Sequence, residues 1–411
     1  MQALSTIIGK LPEPSDCIVP QACLKQAGWM PRVVWYLTGI LVTTLAMLAA
    51  CSGERPSAAR QHLSEKERPA KAGTPDLPMV AHPYVSLDPH RTVIWCGTMQ
   101  LAWNKAMDLV GEDLHFRQQP ALADLLNLRE LTEKDLDPTS YIAIADFERN
   151  NIEDQIRAAL EKTFHGTATP ELIPEKNPFP GPTDFVAYSY LSKTLTFSCQ
   201  FRKTNPLKFD SHLVESFGLT GAEEKDPRMF EQVAICSYDS EDDFVISLQT
   251  QSPKDQLILA KIDPEQTLDA TIEKALKKAA SNGIFPDRYP QEDDYLSIPK
   301  IHFKIKAEFS ELMGMVLDAS PKARIPRDPP LTVKKAEQLV RFELNEKGAI
   351  LTSEALLKMD LLGGSDIQNK RVPLSMVFDR PFLILMKRTN SDRPYFACWI
   401  GDSRFMIPAK E

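Results

Sequence analysis

Hydrophobic and polar positions alternate most regularly between residues 301 and 309. Every odd residue there is apolar and every even residue is polar or charged. A period of two predicts a β-strand with one buried face. Less regular alternation predicts further strands over 140–147, 185–201, 230–238, 243–249, 256–261, 374–388 and 394–402.

Helical spacing is confined to shorter segments. Four apolar residues recur four apart within 151–164, which predicts an amphipathic helix. Further helices are predicted over 99–110, 268–280 and 310–316, the first capped by Thr98 and ended by Gly111. A few early helices followed by long strands in mixed order predict an α+β fold, with helices around large mixed or antiparallel sheets in one large domain over 83–411.

The segment after Gly348 also suits a strand. Its charges all occupy even positions, and its odd positions are apolar or small: Ala349, Leu351, Ser353, Ala355, Leu357, Met359 and Leu361. The segment could therefore enter a sheet without burying a charge, which would be strongly unfavourable. The same residues also fit a helix that ends at Gly363, so a helix remains an alternative.

The first 82 residues do not predict a folded domain. An apolar run over 33–46 is shorter than the roughly 20 residues of a membrane-spanning helix and is typical of a secretory signal. The sequence Leu-Ala-Ala-Cys that follows resembles a bacterial lipobox, which implies cleavage before Cys51 and its lipidation. A signal anchor with a chance cysteine is the alternative.

These patterns divide the N-terminal region into three parts. We expect residues 30–50 to be a lipoprotein signal peptide that starts at Met30, with residues 1–29 upstream of the native start. Residues 51–82 are rich in charged residues and proline and predict a flexible linker. The body would then be held by lipid at the cell envelope, on its periplasmic or outer face.

Composition narrows the classes of function. The net charge of -8 argues against a nucleic-acid binder. No two of the seven histidines have a metal-ligand spacing, and the sequence contains no Cys-x-x-Cys and no nucleotide-binding or nucleophile motif. We therefore expect no enzyme, cofactor or metal. In an oxidising compartment, Cys96, Cys199, Cys236 and Cys398 could form two disulfides or remain buried thiols.

The segment MVFDRPFLILM at 376–386 resembles the C-terminal signature of the serpins. That signature carries an acidic or amide residue, a basic residue, proline and phenylalanine, here Asp379, Arg380, Pro381 and Phe382. Segments 187–201, 244–275, 295–315 and 338–355 resemble other serpin blocks in the same order. The chain lacks the Ser-Pro pair that opens an early helix of the family, so the resemblance implies a distant member.

The resemblance implies a mechanism. In inhibitory serpins a protease cleaves an exposed loop, which inserts as a new strand into the main sheet of a strained native state. For this chain it implies a monomeric inhibitor of a serine or cysteine protease, with a reactive loop over about 349–372. The hinge residues would be Gly348, Ala349, Leu351, Ser353 and Ala355.

The residue that the protease would recognise is ambiguous. Counting forward from Gly348 gives Leu362, which suits a chymotrypsin-like pocket. Counting backward from Asp379 gives Lys370, followed by Arg371, which suits a trypsin-like pocket. That basic pair could equally be solvated loop charges.

The hinge also departs from the small residues that inhibitory serpins carry. Ile350, Leu351 and Glu354 are bulky or charged. A non-inhibitory serpin-fold module that binds a partner or supports the cell envelope is therefore the alternative function.

Overall fold

The structure is a computed structural model that describes residues 78–221, 226–280, 289–325, 328–351 and 372–410. All of them belong to the second of the two units into which the chain divides, Glu67–Glu411. The predicted signal peptide and Cys51 lie outside the described residues. So do Ser353, Ala355, Leu362, Lys370 and Arg371.

The described residues contain five α-helices. They are α1 Thr98–Val110, α2 Ala121–Asn127, α3 Ile152–Phe164, α4 Pro227–Glu231 and α5 Leu268–Ala280. Two 3-10 turns lie at Glu133–Asp135 and Glu148–Asn150. Among the described helices, none combines the length and the apolar character that crossing a bilayer requires.

Strands make up most of the remaining regular structure. In chain order they are β1 Met79–Val80, β2 Val93–Cys96, β3 Tyr141–Phe147, β4 Phe185–Leu191, β5 Lys193–Thr196, β6 Arg202–Lys203, β7 Leu207–Phe209, β8 His212–Val214, β9 Ser216–Thr220, β10 Val233–Ser240, β11 Asp243–Leu248, β12 Asp255–Lys261, β13 Tyr295–Pro299, β14 Ile301–Glu308, β15 Glu337–Asn345, β16 Gly348–Leu351, β17 Ser375–Val377, β18 Phe382–Arg388 and β19 Pro394–Ile400.

Three sheets organise these strands. Sheet 1 has seven strands in the order β1-β2-β19-β18-β12-β11-β10, sheet 2 has the order β14-β15-β16-β5, and sheet 3 has the order β17-β13-β9-β6. β3 pairs with β4, and β7 with β8. Pairing is antiparallel except between β1 and β2 and between β13 and β17. Few helices around mixed and antiparallel sheets are the α+β fold that the sequence predicts.

β18 shows why sheet 1 forms the centre of the core. Its first five residues, Phe382–Met386, are apolar and fully buried. A strand covered on both faces needs apolar residues at consecutive positions rather than an alternating pattern. β12 and β19 pair with β18 on its two sides.

A smaller core lies under α3. Ile152, Ile156, Leu160 and Phe164 pack there against residues of β3 and β4. The spacing of four therefore gives the buried face of this helix, as predicted. α1, by contrast, packs behind β3, β4 and β15.

Two sequence predictions about helices are wrong. Thr98 is not a cap, because α1 begins at Thr98 itself and the cap position is Gly97. The segment 310–316 is a series of turns rather than a helix. Its internal bonds, such as Met313 N to Ser310 O, are turns, while Gly314 N donates to Val333 O and Val316 bridges Thr332, so part of this backbone bonds to a neighbouring segment and no helix forms.

The strand predicted over 185–201 divides into β4 and β5 and ends at Thr196, and three other boundaries also differ from the prediction. Asp226 accepts a hydrogen bond from Arg228 N and starts α4, so the strand predicted from 230 begins at Val233. The strand predicted over 374–388 divides into β17 and β18 around Pro381, which lacks the amide that a continuous ladder requires. β1 lies within the predicted linker, so the folded part extends at least to Pro78.

Candidate functional site

β16 carries the described part of the predicted hinge. It lies between β15 and β5 and pairs antiparallel with both, so that Ala349 is opposite Leu344 on one side and Leu195 on the other. Ala349 and Leu351 are buried, and Ile350 is half-buried. The odd residues of this strand therefore face the core.

Gly348 is the residue that lets the chain enter sheet 2. Its φ of +152° is one that residues with a side chain rarely adopt. A Cβ at this position would lie 2.3 Å from Leu195 O and 2.9 Å from Thr196 Cα. β16 can therefore approach β5 this closely only because residue 348 is glycine.

The turn before β16 is tied to the segment that follows β5. Phe197 N donates to Lys347 O and Phe201 N donates to Glu346 O, both at 2.9 Å. Lys347 N donates to the side-chain oxygen of Asn345 at 2.8 Å. These bonds fix the position at which β16 starts.

A buried ion pair stabilises the same turn. Lys300 Nζ lies 2.9 Å from Glu346 Oε2 and 3.2 Å from Glu215 Oε2, and both Lys300 and Glu346 are largely shielded from solvent. Burial alone would raise the pKa of Glu346 and lower the pKa of Lys300, and so would favour the neutral form of both. The hydrogen bond from Lys300 nevertheless lowers the pKa of Glu346, and the two carboxylates raise the pKa of Lys300. The pair is therefore charged and holds the start of β16 against the loop before β14.

Beyond Leu351, β15 and β4 are not paired with each other in the described part of the chain. β15 pairs with β14 along 337–344 but with β16 only through 343–345. β4, which continues into β5, pairs with β3. We call the space between 337–342 of β15 and 185–191 of β4 the slot. It lies in line with β16.

One residue of α1 connects the two borders of the slot. Ser189 Oγ of β4 donates to Thr98 O at 2.5 Å. Gln338 Nε2 of β15 donates to Thr98 Oγ1 at 2.6 Å and to Cys96 O at 2.8 Å. Thr98 therefore forms the floor of the slot, a role that its predicted position as a helix cap did not indicate.

The segment after α3 also contacts both borders. Thr169 N donates to the Tyr190 hydroxyl of β4 at 3.1 Å, and Arg341 of β15 donates to Thr169 Oγ1 at 3.3 Å. Glu171 pairs with Arg341 and, at 2.8 Å, with Lys304 of β14. We call Thr169 and Glu171 the strap.

An ion pair joins β5 to sheet 1. Lys193 Nζ lies 2.6 Å from Asp255 Oδ2 of β12, and Asp255 also accepts from the Tyr395 hydroxyl and from Ser252 Oγ. Lys193 is opposite Leu351 in the ladder. The strand beside the hinge is therefore fixed to the larger sheet by a buried polar contact.

The signature residues lie elsewhere and support sheet 1. The Asp379 carboxylate is 2.7 Å from Nζ of buried Lys261, and Arg380 lies 3.0 Å from Asp242. Phe382 is fully buried and Pro381 is half-buried. These contacts connect the start of β18 to the end of β12 and do not touch β16.

The state of two cysteines is enough to choose between two disulfides and buried thiols. Cys96 and Cys398 are buried free thiols on the paired strands β2 and β19. Burial raises the pKa of both thiols. Cys199 and Cys236 are half-buried. The four residues therefore do not form two disulfides. Within the described ranges, no group of side chains is arranged to hold a metal ion.

Sequence reasoning found the hinge strand but missed the contacts around it. Thr98, Thr169, Lys300 and Glu346 come from distant parts of the chain, and their spacing carries no pattern. The one local signal of these contacts was Lys300 itself, a charged residue that interrupts the apolar stretch between β13 and β14.

No model of a known protein family matches the sequence, and no curated protein matches it. Among solved structures, the chain is similar to mouse protein-Z dependent protease inhibitor, with 14% identity over 77% of this chain and 91% of that chain, and a TM-score of 0.42. It is similar to Arabidopsis AtSerpin1 in its native stressed conformation, with 14% identity, coverage of 77% and 93%, and a TM-score of 0.39. A tumour suppressing serpin gives 13% identity, coverage of 76% and 93%, and a TM-score of 0.41.

Proposed function

We propose that this chain is a serpin-type inhibitor that traps a serine or cysteine protease when the segment after Gly348 is cleaved and inserts into sheet 2. The observation that carries the proposal is the position of β16. It lies between β15 and β5, at the end of a slot that no described strand occupies. The alternation after Gly348 would keep charged side chains out of the core during insertion.

The register of β16 supports a specific pairing for the proposed inserted strand. Leu351 is opposite Lys193, and Ile350 is opposite Glu343. Continuing both antiparallel ladders by four residues would put Ala355 between Ser189 and Gln338. These are the two residues that bond to Thr98, so residue 355 would enter the slot directly over Thr98.

Insertion exchanges a few contacts for many. The hydrogen bonds of Thr98 and the strap would have to rearrange, each contributing about 1 kcal/mol net. A new strand would gain ladder bonds on both sides and would bury the apolar odd positions. The balance favours the inserted state once cleavage releases the segment.

The choice of target protease depends on the cleaved bond. Cleavage after Leu362 would select a chymotrypsin-like enzyme, and cleavage after Lys370 or Arg371 would select a trypsin-like enzyme. We also propose that a lipid on Cys51 anchors the protein at the cell envelope, a proposal supported by the apolar run and the lipobox-like sequence.

The experiment incubates the protein with one protease of each type and separates the products on a denaturing gel. We expect a complex that survives denaturation with one of the two enzymes. Ala355→Arg would place a charge in the slot and should yield cleaved protein without complex. Glu354→Arg, at an even position, is the matched control and should still form the complex. Clean turnover of the unaltered protein by both enzymes would contradict the proposal.

A second candidate is a non-inhibitory module that uses the same fold to bind a partner. It is favoured by the bulk of Ile350 and Leu351 and by the pairing of β16 on both sides before any cleavage. Thermal unfolding after a single nick in 352–371 separates the two candidates. A large rise in Tm means that the cut segment inserts, whereas an unchanged Tm supports the static module.

A further inference from the structure

β3 has a strand partner on one side only in the described part of the chain. β4 pairs with it along 141–147, and no other described strand does. The bonds at the two ends of this ladder show which residues face β4, because Ser192 N donates to Ser140 O and Glu148 N donates to Asp184 O, both at 2.8 Å. In an antiparallel pair, residues that exchange such bonds alternate with residues that do not. The even residues of β3 therefore bond to β4, and the odd residues direct their amides and carbonyls away from it.

The outward backbone groups of Tyr141, Ala143 and Ala145 are open. No group in the described ranges forms a hydrogen bond with their outward amides or carbonyls. All three residues are partly exposed, although the side chains of Tyr141 and Ala143 pack against the main core. This side of β3 therefore presents a row of alternating donors and acceptors to solvent.

Two aspartates delimit this row. At one end the amide of Thr139 donates to Asp137 Oδ1 at 3.1 Å, and at the other the amide of Phe147 donates to Asp146 Oδ1 at 2.8 Å. The outward amides on both sides of the row are thus already satisfied. We call residues 141–145 the open edge. It matches a strand of five residues.

The open edge carries none of the features that usually protect an exposed strand. Natural sheets protect their edges with lysine, proline, inward-pointing charges or bulges. The open edge has the sequence YIAIA and keeps a continuous register with β4. β14, at one edge of sheet 2, instead exposes Lys304 and Lys306. An unprotected edge of this kind is suited to pairing with an extended chain, whose main-chain bonds give affinity.

α3 decides which kind of partner the open edge accepts. The helix packs more closely over β3 than over β4, and Gln155 Nε2 donates to Asp146 Oδ2 at 2.8 Å. A second copy paired through its own β3 would place two such helices on neighbouring strands roughly 5 Å apart, whereas packed helices need about 8–10 Å. An extended peptide carries no helix, so it can approach the open edge where a second copy cannot.

We propose that the open edge binds an extended peptide segment of a partner protein as an added antiparallel strand. The segment has five uncharged residues, with a bulky apolar residue opposite Ala143. Residues directly opposite each other place their side chains on the same face, so this residue lies beside small Ala143 and within reach of the rings of Tyr141 and Phe147. Protease trapping does not use this surface, because the slot lies on the other side of β4.

Calorimetric titration with the acetylated and amidated peptide Thr-Val-Leu-Val-Thr tests the proposal. We expect binding with the central leucine opposite Ala143. Ala143→Pro removes an outward amide and should weaken binding at least about tenfold, a difference of about 1.4 kcal/mol. It removes no bond to β4, so its Tm should stay close to that of the unaltered protein. Ile144→Pro, at a residue that bonds to β4, should lower the Tm.

Two methylated peptides test the same bonds without any change in the protein. N-methylation of the central leucine blocks an amide that faces β3 and should weaken binding at least about tenfold. N-methylation of the valine before it is the matched control, because that amide faces away from β3, and should leave binding unchanged. Equal binding of the two methylated peptides would overturn the proposal.

Hydrogen exchange locates the bound peptide. The peptide should slow exchange at the amides of Tyr141, Ala143 and Ala145, whereas those of Ile142 and Ile144 should exchange slowly with or without it. The proposal is overturned if the peptide does not bind at millimolar concentration, or if it slows exchange along 337–342 in the slot instead. A dimer of the unaltered protein that Ala143→Pro dissociates would also overturn it, by showing that a second copy covers the open edge.

Discussion

Sheets 1 and 2 pair their strands in different ways. In sheet 1 every strand from β2 to β11 has a neighbour on both sides, and β18 is buried along its first five residues. In sheet 2, β15 is paired on one side along nearly its whole length but only through its last three residues on the other. The inner strands of sheet 1 are thus paired on both sides, whereas β15 of sheet 2 has no described partner on the side that faces the slot.

The two sheets are also stabilised differently. Sheet 1 depends on apolar burial at its centre, whereas the slot in sheet 2 is spanned by a few polar contacts of Thr98, Thr169 and Glu171. Polar contacts of this kind can be exchanged without exposing the core. We therefore expect that pairing in sheet 2 can change while sheet 1 stays folded.

Substitution in the complete sheet should have the largest effect. Phe382→Ala removes a fully buried aromatic side chain at the start of β18 and should reduce the free energy of unfolding by about 3–5 kcal/mol. Denaturant unfolding measures this loss. Val372→Ala, at a residue 83% exposed, is the control and should be neutral. Equal stability of the two variants would contradict the central role of β18.

Loss of the ion pair at the start of β16 should have the second-largest effect on the free energy of unfolding. Glu346→Gln leaves Lys300 buried with Glu215 alone and should reduce the free energy of unfolding by about 3 kcal/mol at neutral pH. The folded-state pKa of Glu346 is lowered, so its contribution is complete above the unfolded value near 4.5 and is lost as pH falls through the folded pKa.

A pH series of unfolding measurements checks both parts of this prediction. The difference between the unaltered protein and Glu346→Gln should be constant from about pH 5.5 upward, one unit above the unfolded pKa of 4.5, and should shrink in acid. Glu308→Gln, at an exposed position of β14, should show neither effect. A difference that persists unchanged at pH 2 would rule out the charge of Glu346 as the cause.

Substitution in the strap should have the smallest effect on stability and should affect mainly the strands on either side of the slot. Glu171→Gln weakens partly exposed ion pairs with Arg341 and Lys304, a loss of less than about 1 kcal/mol. Hydrogen exchange should nevertheless accelerate at the amides of β4 and β15 and remain unchanged in β18. Glu161→Gln, on the exposed face of α3, should leave all three strands unaffected. Uniform acceleration would mean that the strap supports the whole fold instead.

The sequence predicts much of this architecture, because alternation and helical spacing are local properties. The strand at 301–308 and the helices at 152–164 and 268–280 lie close to their predicted bounds. The prediction failed where the backbone bonds to a distant segment. The turns at 310–316 are of this kind, since no local pattern reports a partner elsewhere in the chain, whereas the start of β10 is set by the short helix α4 and its local Asp226 cap.

Of the candidate site, the sequence predicted the hinge strand β16 but not the strands that pair with it. The odd-even pattern after Gly348 marks a strand with a buried face, and Ala349 and Leu351 are buried. The partners of that strand were not predictable, because β5 and β15 are separated by about 140 residues of sequence. The roles of Ser353, Ala355, Leu362, Lys370 and Arg371 stay predictions.

The double attachment of Thr98 has a consequence for how sequences of this kind can diverge. Ser189 and Gln338 share one partner, so a replacement at residue 98 alters the environment of both at once. Homologues should therefore change these three positions together or not at all. A set of homologous sequences in which the three positions vary independently would show that the floor of the slot is not under common selection.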